Sequence, residues 1–218
     1  MYLSQTEAAE HCRLGASIWP FASQGHQDPD VVLVGIGVEV TFEVVKAAEL
    51  LRTLCPALKV RVVNVTDLMI LVAESKHPHA LSKERFVELF TADKPVLFNY
   101  HGYATELQGL LFGRENLQRM WVRGYREEGS TTTPFDMMLV NGVSRFDVAR
   151  WSVEKGAEEN AEVKSCLSGS VDDIDKRVSG VRQFIAEHGK GLSPSTLWFL
   201  AITDKTDPDD IYDLPERV

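Results

Sequence analysis

This chain of 218 residues is short of three things, and each shortage removes a class of function. Cysteine occurs only at Cys12, Cys55 and Cys166. An odd number so widely scattered offers neither a disulfide framework nor a CxxC metal pair, and it reads as a reduced protein. Basic charge is also short: 23 Lys and Arg against 32 Asp and Glu leave a net charge of −9. Nucleic acid, whose phosphates demand clustered cations, is therefore not an expected partner. Long apolar runs are absent as well. No window approaches the roughly 18 apolar residues of a membrane span. The start, MYLSQTEAAEHCR, has no secretory core. The expectation is a soluble, cytoplasmic protein with no membrane partner.

Motifs that hold nucleotides or metals are missing too. VGIGVE at 34–39 places two glycines between a strand and a helix, but Val40 stands where a dinucleotide fingerprint needs its third glycine. A tight strand-to-helix turn accounts for it better. No GxxxxGK[ST] loop occurs. His77 and His79 flank Pro78, yet no third ligand stands at a recognisable spacing. The pre-proline restriction makes His77 extended, so the two rings are expected to point apart. No metal site is expected.

What is present is an ordinary globular composition, 44% hydrophobic and 25% charged, in a length that suits one α/β domain. Ser4 and Glu7 form a capping box for a first helix that Gly15 can close, and loop residues run on to Pro29. Residues 31–36, 59–65 and 95–100 are mainly apolar runs of strand length, read as adjacent parallel strands. Between the first two, residues 39–54 repeat apolar positions at helical spacing, which makes a βαβ unit with a right-handed crossover. Lys59, Arg61 and Asn64 make the second strand less apolar and suggest that it lies nearer an edge. Ser82 caps KERFVELF, a helical stretch follows Tyr103, and a strand is expected near 120–122. Helices are expected over 134–142, 145–155 and 171–188, the last opening under Asp172, Asp173 and Asp175. The fold class is a three-layer α/β sandwich with a mainly parallel sheet. One domain is expected: helix and linker over 1–30, core over 31–189, and a tail over 190–218. In the tail, Leu197–Leu200 is expected to be covered and 204–218 to trail outside.

Candidate functional residues gather in two places. His101, Gly102 and Tyr103 follow the third strand, where a parallel sheet opens its ligand crevice, and a histidine there can move a proton near neutral pH. The stretch RGYREEGSTTTPFDMM at 123–138 is more polar than a core needs. Thr133 suits an N-cap, Pro134 the first helical position and Asp136 the first turn. Arg123 and Arg126 suit a phosphate, or a carboxylate from a neighbouring domain. Glu127 and Glu128 are sequence neighbours, expected to point apart and to be solvated rather than to form an acid–base pair.

The same stretch, as RGYREEGSTTTPFDMMLVN, together with HPHALS at 77–82 and DKPVLFNYHGY at 93–103, resembles the C-terminal domain of the thiamine-diphosphate-dependent phosphoketolases, the fungal-type members most of all. The likeness runs from about Leu3 to the C-terminus. That family's motif reads EEGTTTTPFDM, and Ser130 here replaces the first threonine while keeping a hydroxyl. The resemblance implies a transketolase C-terminal-domain-like fold. It implies a parent aldehyde-lyase that cleaves xylulose 5-phosphate, and often fructose 6-phosphate, with phosphate to acetyl phosphate and an aldose phosphate. Thiamine diphosphate and Mg²⁺ belong to that parent enzyme. Its Gly-Asp-Gly and Asn-Asn motif and its pyrimidine-activating glutamate lie outside this chain. The resemblance therefore implies no catalytic residue and no cofactor bound by this chain alone. Its partners would be the N-terminal and middle domains and a second copy in a homodimer. The expected interface residues are His101, Tyr103, Arg123, Arg126, Thr131, Thr132 and Thr133. An alternative, from the arginines Arg114, Arg119, Arg123 and Arg126, is a regulatory module for a small anion.

Overall fold

The computed structural model describes residues 3–25, 27–126 and 132–191. In chain order the elements are α1 (Gln5–Leu14), β1 (Ala16–Ile18), β2 (Val31–Ile36), α2 (Val38–Leu54), β3 (Val60–Val65), α3 (Lys83–Phe90), β4 (Val96–Tyr100), α4 (Ala104–Leu111), β5 (Met120–Gly124), α5 (Pro134–Val140), α6 (Arg145–Glu159) and α7 (Ala161–His188). Short 3-10 turns at Leu68–Leu71, Glu74–Lys76 and Leu117–Arg119 complete them.

Five strands form one sheet in the order β1-β3-β2-β4-β5. β2 lies between β3 and β4, parallel to both, and β5 is parallel to β4. The continuous apolar runs follow from burial on both faces, with side chains alternating by two. Val31 and Leu33 face a layer made by α2, α6 and α7, whereas Val32, Val34 and Ile36 face α3, α4 and the 68–71 turn. Three layers result, as expected. The capping box of Ser4 and Glu7, the αL Gly15 and the Ser82 cap are all present.

Several expectations need correction. Residues 16–18, read as loop, form β1 and pair antiparallel with β3. The second strand does lie nearer an edge, next to β1, and its Arg61 and Asn64 are buried with partners. Arg61 donates to the carbonyls of Gln27, Glu88 and Leu89. Asn64 donates to the Gly35 carbonyl and accepts from His11 Nε2 at 2.8 Å. The last helix does not begin near Asp172. It begins at Ala161 under an Asn160 cap, and the aspartates instead serve as mid-helix partners, Asp173 of Arg177 and Asp175 of Arg150. Cys55 and Cys166 are joined (S–S 2.07 Å), because α7 docks beside the end of α2 and brings together residues 111 apart. No spacing rule could show that pairing. The rings of His77 and His79 do not point apart but meet edge to face at 5.0 Å, since His79 turns to hydrogen-bond Asp67. The tail residues Leu197–Leu200 and 204–218 lie outside the described residues.

One buried ion pair holds the helical layer together. Glu43, on α2, accepts from Nε of Arg145 at 2.9 Å, from its NH2 group at 2.6 Å and from its backbone N–H at 2.7 Å. Both side chains are under a tenth exposed. The carboxylate also sits at the N-terminus of α6, where the helix dipole favours negative charge. Removing one partner of such a pair strands the other in the core. Arg145→Met alone is therefore expected to lower unfolding free energy by about 3–5 kcal/mol in urea melts. The double variant Glu43→Leu/Arg145→Met should recover most of that loss, and equal losses for single and double variants would contradict this account.

Candidate functional site at the carboxyl edge of the sheet

The strand order reverses between β2 and β4. From β2 the chain crosses to β3 on one side through α2. It then returns past β2 to β4 and continues to β5, with α3 and α4 on the opposite face. The carboxyl ends of β2 and β4 are therefore the switch point, the place where open parallel sheets form the crevice that receives ligands or partners. Gly37 and Glu39 come from the β2 side, and His101, Gly102 and Tyr103 from the β4 side.

The geometry here is set by close backbone approach. Gly37 has φ +100°, and a Cβ on it would lie 2.4 Å from Cβ of His101, so only glycine lets the two loops meet. His101 N–H donates to the Ile36 carbonyl, and Tyr125 N–H to the Tyr100 carbonyl. His101 Nδ1 lies 2.6 Å from Glu39 Oε2, and its ring meets the Tyr125 ring edge-on at 4.9 Å. The Glu39 carboxyl is held below its ordinary value, first by its own backbone N–H and then by His101, against an opposing cost of desolvation. This acidic partner sits 62 residues from its histidine. Sequence alone marks Glu39 only as an acidic first-turn residue straight after a buried strand.

The other expected residues divide. Tyr103 is exposed at the start of α4. Arg123 is not offered to a ligand: it is largely buried and donates to the Gly142 carbonyl at 2.9 Å. Burial pushes its guanidinium pKa down. Burial likewise pushes the Asp147 carboxyl up, opposed by the Ser144 hydroxyl and by the nearby charge of Arg123. Arg126 exchanges backbone bonds with the Asn141 side chain at 3.0 and 2.9 Å, which ties the end of β5 to the end of α5. Thr133 caps α5 by accepting from Asp136 N–H, and the Thr132 hydroxyl donates to the Asp136 carboxylate, so both are helix-starting residues. Thr131, like Glu127 and Glu128, lies outside the described residues. The four arginines do not converge. Arg119, at the amino end of β5, donates to the carbonyls of Phe90, Thr91 and Lys94, and Arg114 to those of Ile70 and Leu71. These cations brace backbone rather than gather an anion.

Folded Asp147 holds its proton more tightly than the unfolded chain does. Its contribution therefore turns against folding as pH rises above the ordinary value of 3.8 and through the raised one. Asp147→Asn should gain stability relative to the parent chain as pH rises above the ordinary carboxyl value of 3.8. Denaturant melts along that rise check it, and parallel pH curves would show that Arg123 and Ser144 fully offset the burial.

Among the described residues no three His, Cys, Asp or Glu side chains stand together as a metal site, and no helix is long and apolar enough to cross a membrane. A probable phosphoketolase of Schizosaccharomyces pombe is 51% identical over 166 residues, covering 76% of this chain and 20% of that protein. One of Rhodopseudomonas palustris (strain BisB5) is 41% identical over 197 residues, covering 90% and 25%. The chain thus spans about a fifth to a quarter of the length of these relatives. Among solved structures, a transketolase from Leishmania mexicana aligns with 68% of this chain and 19% of its own, at 17% identity and a TM-score of 0.47. The XFP C-terminal domain family matches residues 1–198, nearly the whole chain. The chain belongs to that family, the C-terminal domain of phosphoketolases.

Proposed function

We propose that this chain is the assembly domain of a phosphoketolase, packing through its carboxyl-edge crevice against the rest of the enzyme. The observation that supports this most directly is the pairing of an exposed, preorganised His101–Glu39 unit with an exposed Tyr103 at the point where the strand order reverses. Val38 and Val140 add exposed apolar surface on neighbouring elements. Aromatic, apolar and charge-assisted groups in one place suit a protein contact better than a small polar ligand. Arg126, Thr132 and Thr133 would lie at the rim of that contact, with Arg123 behind it as a brace.

The parent enzyme in this reading is a cytoplasmic homodimeric aldehyde-lyase that uses thiamine diphosphate and Mg²⁺. It cleaves xylulose 5-phosphate, and fructose 6-phosphate, with phosphate, giving acetyl phosphate and an aldose phosphate. In this reading the cofactor is held by the N-terminal and middle domains of the parent enzyme. The part of this chain is to close and order the site, as a single folded domain, without touching the reacting atoms.

Two measurements test this. The isolated chain, given thiamine diphosphate, Mg²⁺, phosphate and xylulose 5-phosphate, is expected to form no acetyl phosphate. In the full-length enzyme, His101→Ala/Tyr103→Ala should reduce acetyl phosphate formation or dimer assembly by about tenfold or more, the scale of losing a buried anchor. The melting temperature of the domain alone should stay unchanged. Turnover by the isolated chain, or a full-length double variant with normal activity and assembly, would overturn the proposal.

A further inference from the structure

Cys55 and Cys166 are bonded across a Cα–Cα distance of 6.0 Å. Cys55 closes α2 and is wholly buried, whereas Cys166 lies in the second turn of α7 and is partly exposed. Contacts independent of sulfur bring the two together. Ser170, one helical turn beyond Cys166, donates its hydroxyl to the Leu54 carbonyl at 3.0 Å, beside Cys55. Asn160, which caps α7, reaches the Asp30 carboxylate at 3.2 Å. The absence of a side chain at Gly156 leaves the space that Leu58 fills. The thiols would therefore remain opposed if the bond were broken.

Breaking it also strands no polar group. The sulfur of Cys166 lies 3.1 Å from the Val163 carbonyl, which can accept from a free thiol. Cys55 would remain as a small hydrophobe in the helical-layer core, an environment that suits a neutral thiol. A chain of this length with a core on both faces of its sheet does not depend on a covalent staple, unlike a small disulfide-rich domain. A disulfide that both states of the fold accommodate is suited to reversible exchange rather than to permanent cross-linking.

We propose that Cys55–Cys166 is a redox modification site, a dithiol that exchanges with small-molecule disulfides and, when oxidised, locks α7 to α2. The accessible Cys166 thiolate attacks one sulfur of oxidised glutathione, and a glutathione thiolate leaves and takes up a proton. The Cys55 thiol then attacks the Cys166 sulfur of the mixed disulfide and passes its proton to the second glutathione thiolate as that leaves. Two protein thiols become one disulfide while one glutathione disulfide becomes two thiols, and reduction runs the same steps backwards. Cys12 is exposed and unbonded, which makes it an internal control.

The test equilibrates the full chain in glutathione buffers of varied ratio, then counts thiols after denaturation and maps bonds by mass spectrometry. The reduced form is expected to show three thiols and an unchanged circular-dichroism spectrum, and the oxidised form one thiol. Closing so long a loop should raise the melting midpoint by about 5–10 °C. Cys12→Ser should keep that shift and Cys166→Ser should abolish it. Oxidation confined to Cys12, with Cys55 and Cys166 still titrating as thiols, would overturn the proposal. So would a reduced chain that is unfolded, since the bond would then be a structural staple rather than a switch.

Discussion

The Glu43–Arg145 pair is the constraint on which the helical face of this domain rests. It joins α2, the crossover helix that places β2 and β3 side by side, to the first residue of α6. α6 in turn carries α7 against it, and α7 also packs on α2. A buried carboxylate and guanidinium are costly to desolvate, and this pair offsets the cost by satisfying several donors at one carboxylate. The arrangement fixes direction as well as energy, because a bidentate contact tolerates little rotation of one helix over the other.

Fixing α2 fixes the functional edge. The N-terminus of α2 follows Gly37 directly, so any shift of the helix would move Glu39 relative to His101. On the far side of the crevice the position of His101 is set by β4, whose Asn99 donates to the carbonyls of Val40 and Val143 inside the core. The pair at the crevice thus reports the register between a helix and a strand held from below. Preorganisation of this kind suits a surface that must meet a partner without first ordering itself, since side-chain ordering otherwise opposes binding.

A second theme is the use of long polar side chains to satisfy buried backbone. Arg61, Arg114 and Arg119 together take the carbonyls of residues 27, 70, 71, 88, 89, 90, 91 and 94. These carbonyls lie in turns and at helix ends, where the regular ladder gives no partner. Asn64 has the same duty at the sheet, linking the Gly35 carbonyl and the Thr41 hydroxyl to His11 of α1. Because its amide nitrogen faces Gly35, its oxygen faces His11, and the imidazole proton is placed on Nε2. Nδ1 meets the Ser17 hydroxyl at 2.7 Å. Arginines that look like an anion site in sequence are here the mortar of the loops.

Local regularities were legible without the fold. Runs such as Val31–Ile36 announce strands buried on both faces, and Ser4, Ser82 and Thr133 announce helix starts, because burial period and cap chemistry are properties of neighbouring residues. The motif around residues 123–138 was enough to indicate the family. The position of His101 just past the carboxyl end of a parallel strand could be anticipated from the βαβ order. What the sequence could not determine was every pairing that crosses the chain: Glu39 with His101, Glu43 with Arg145, Cys55 with Cys166, and β1 with β3. Each depends on which helix packs beside which strand. That choice is made by total burial summed over the whole core, to which no single residue or spacing gives access, so only the tertiary structure decided it.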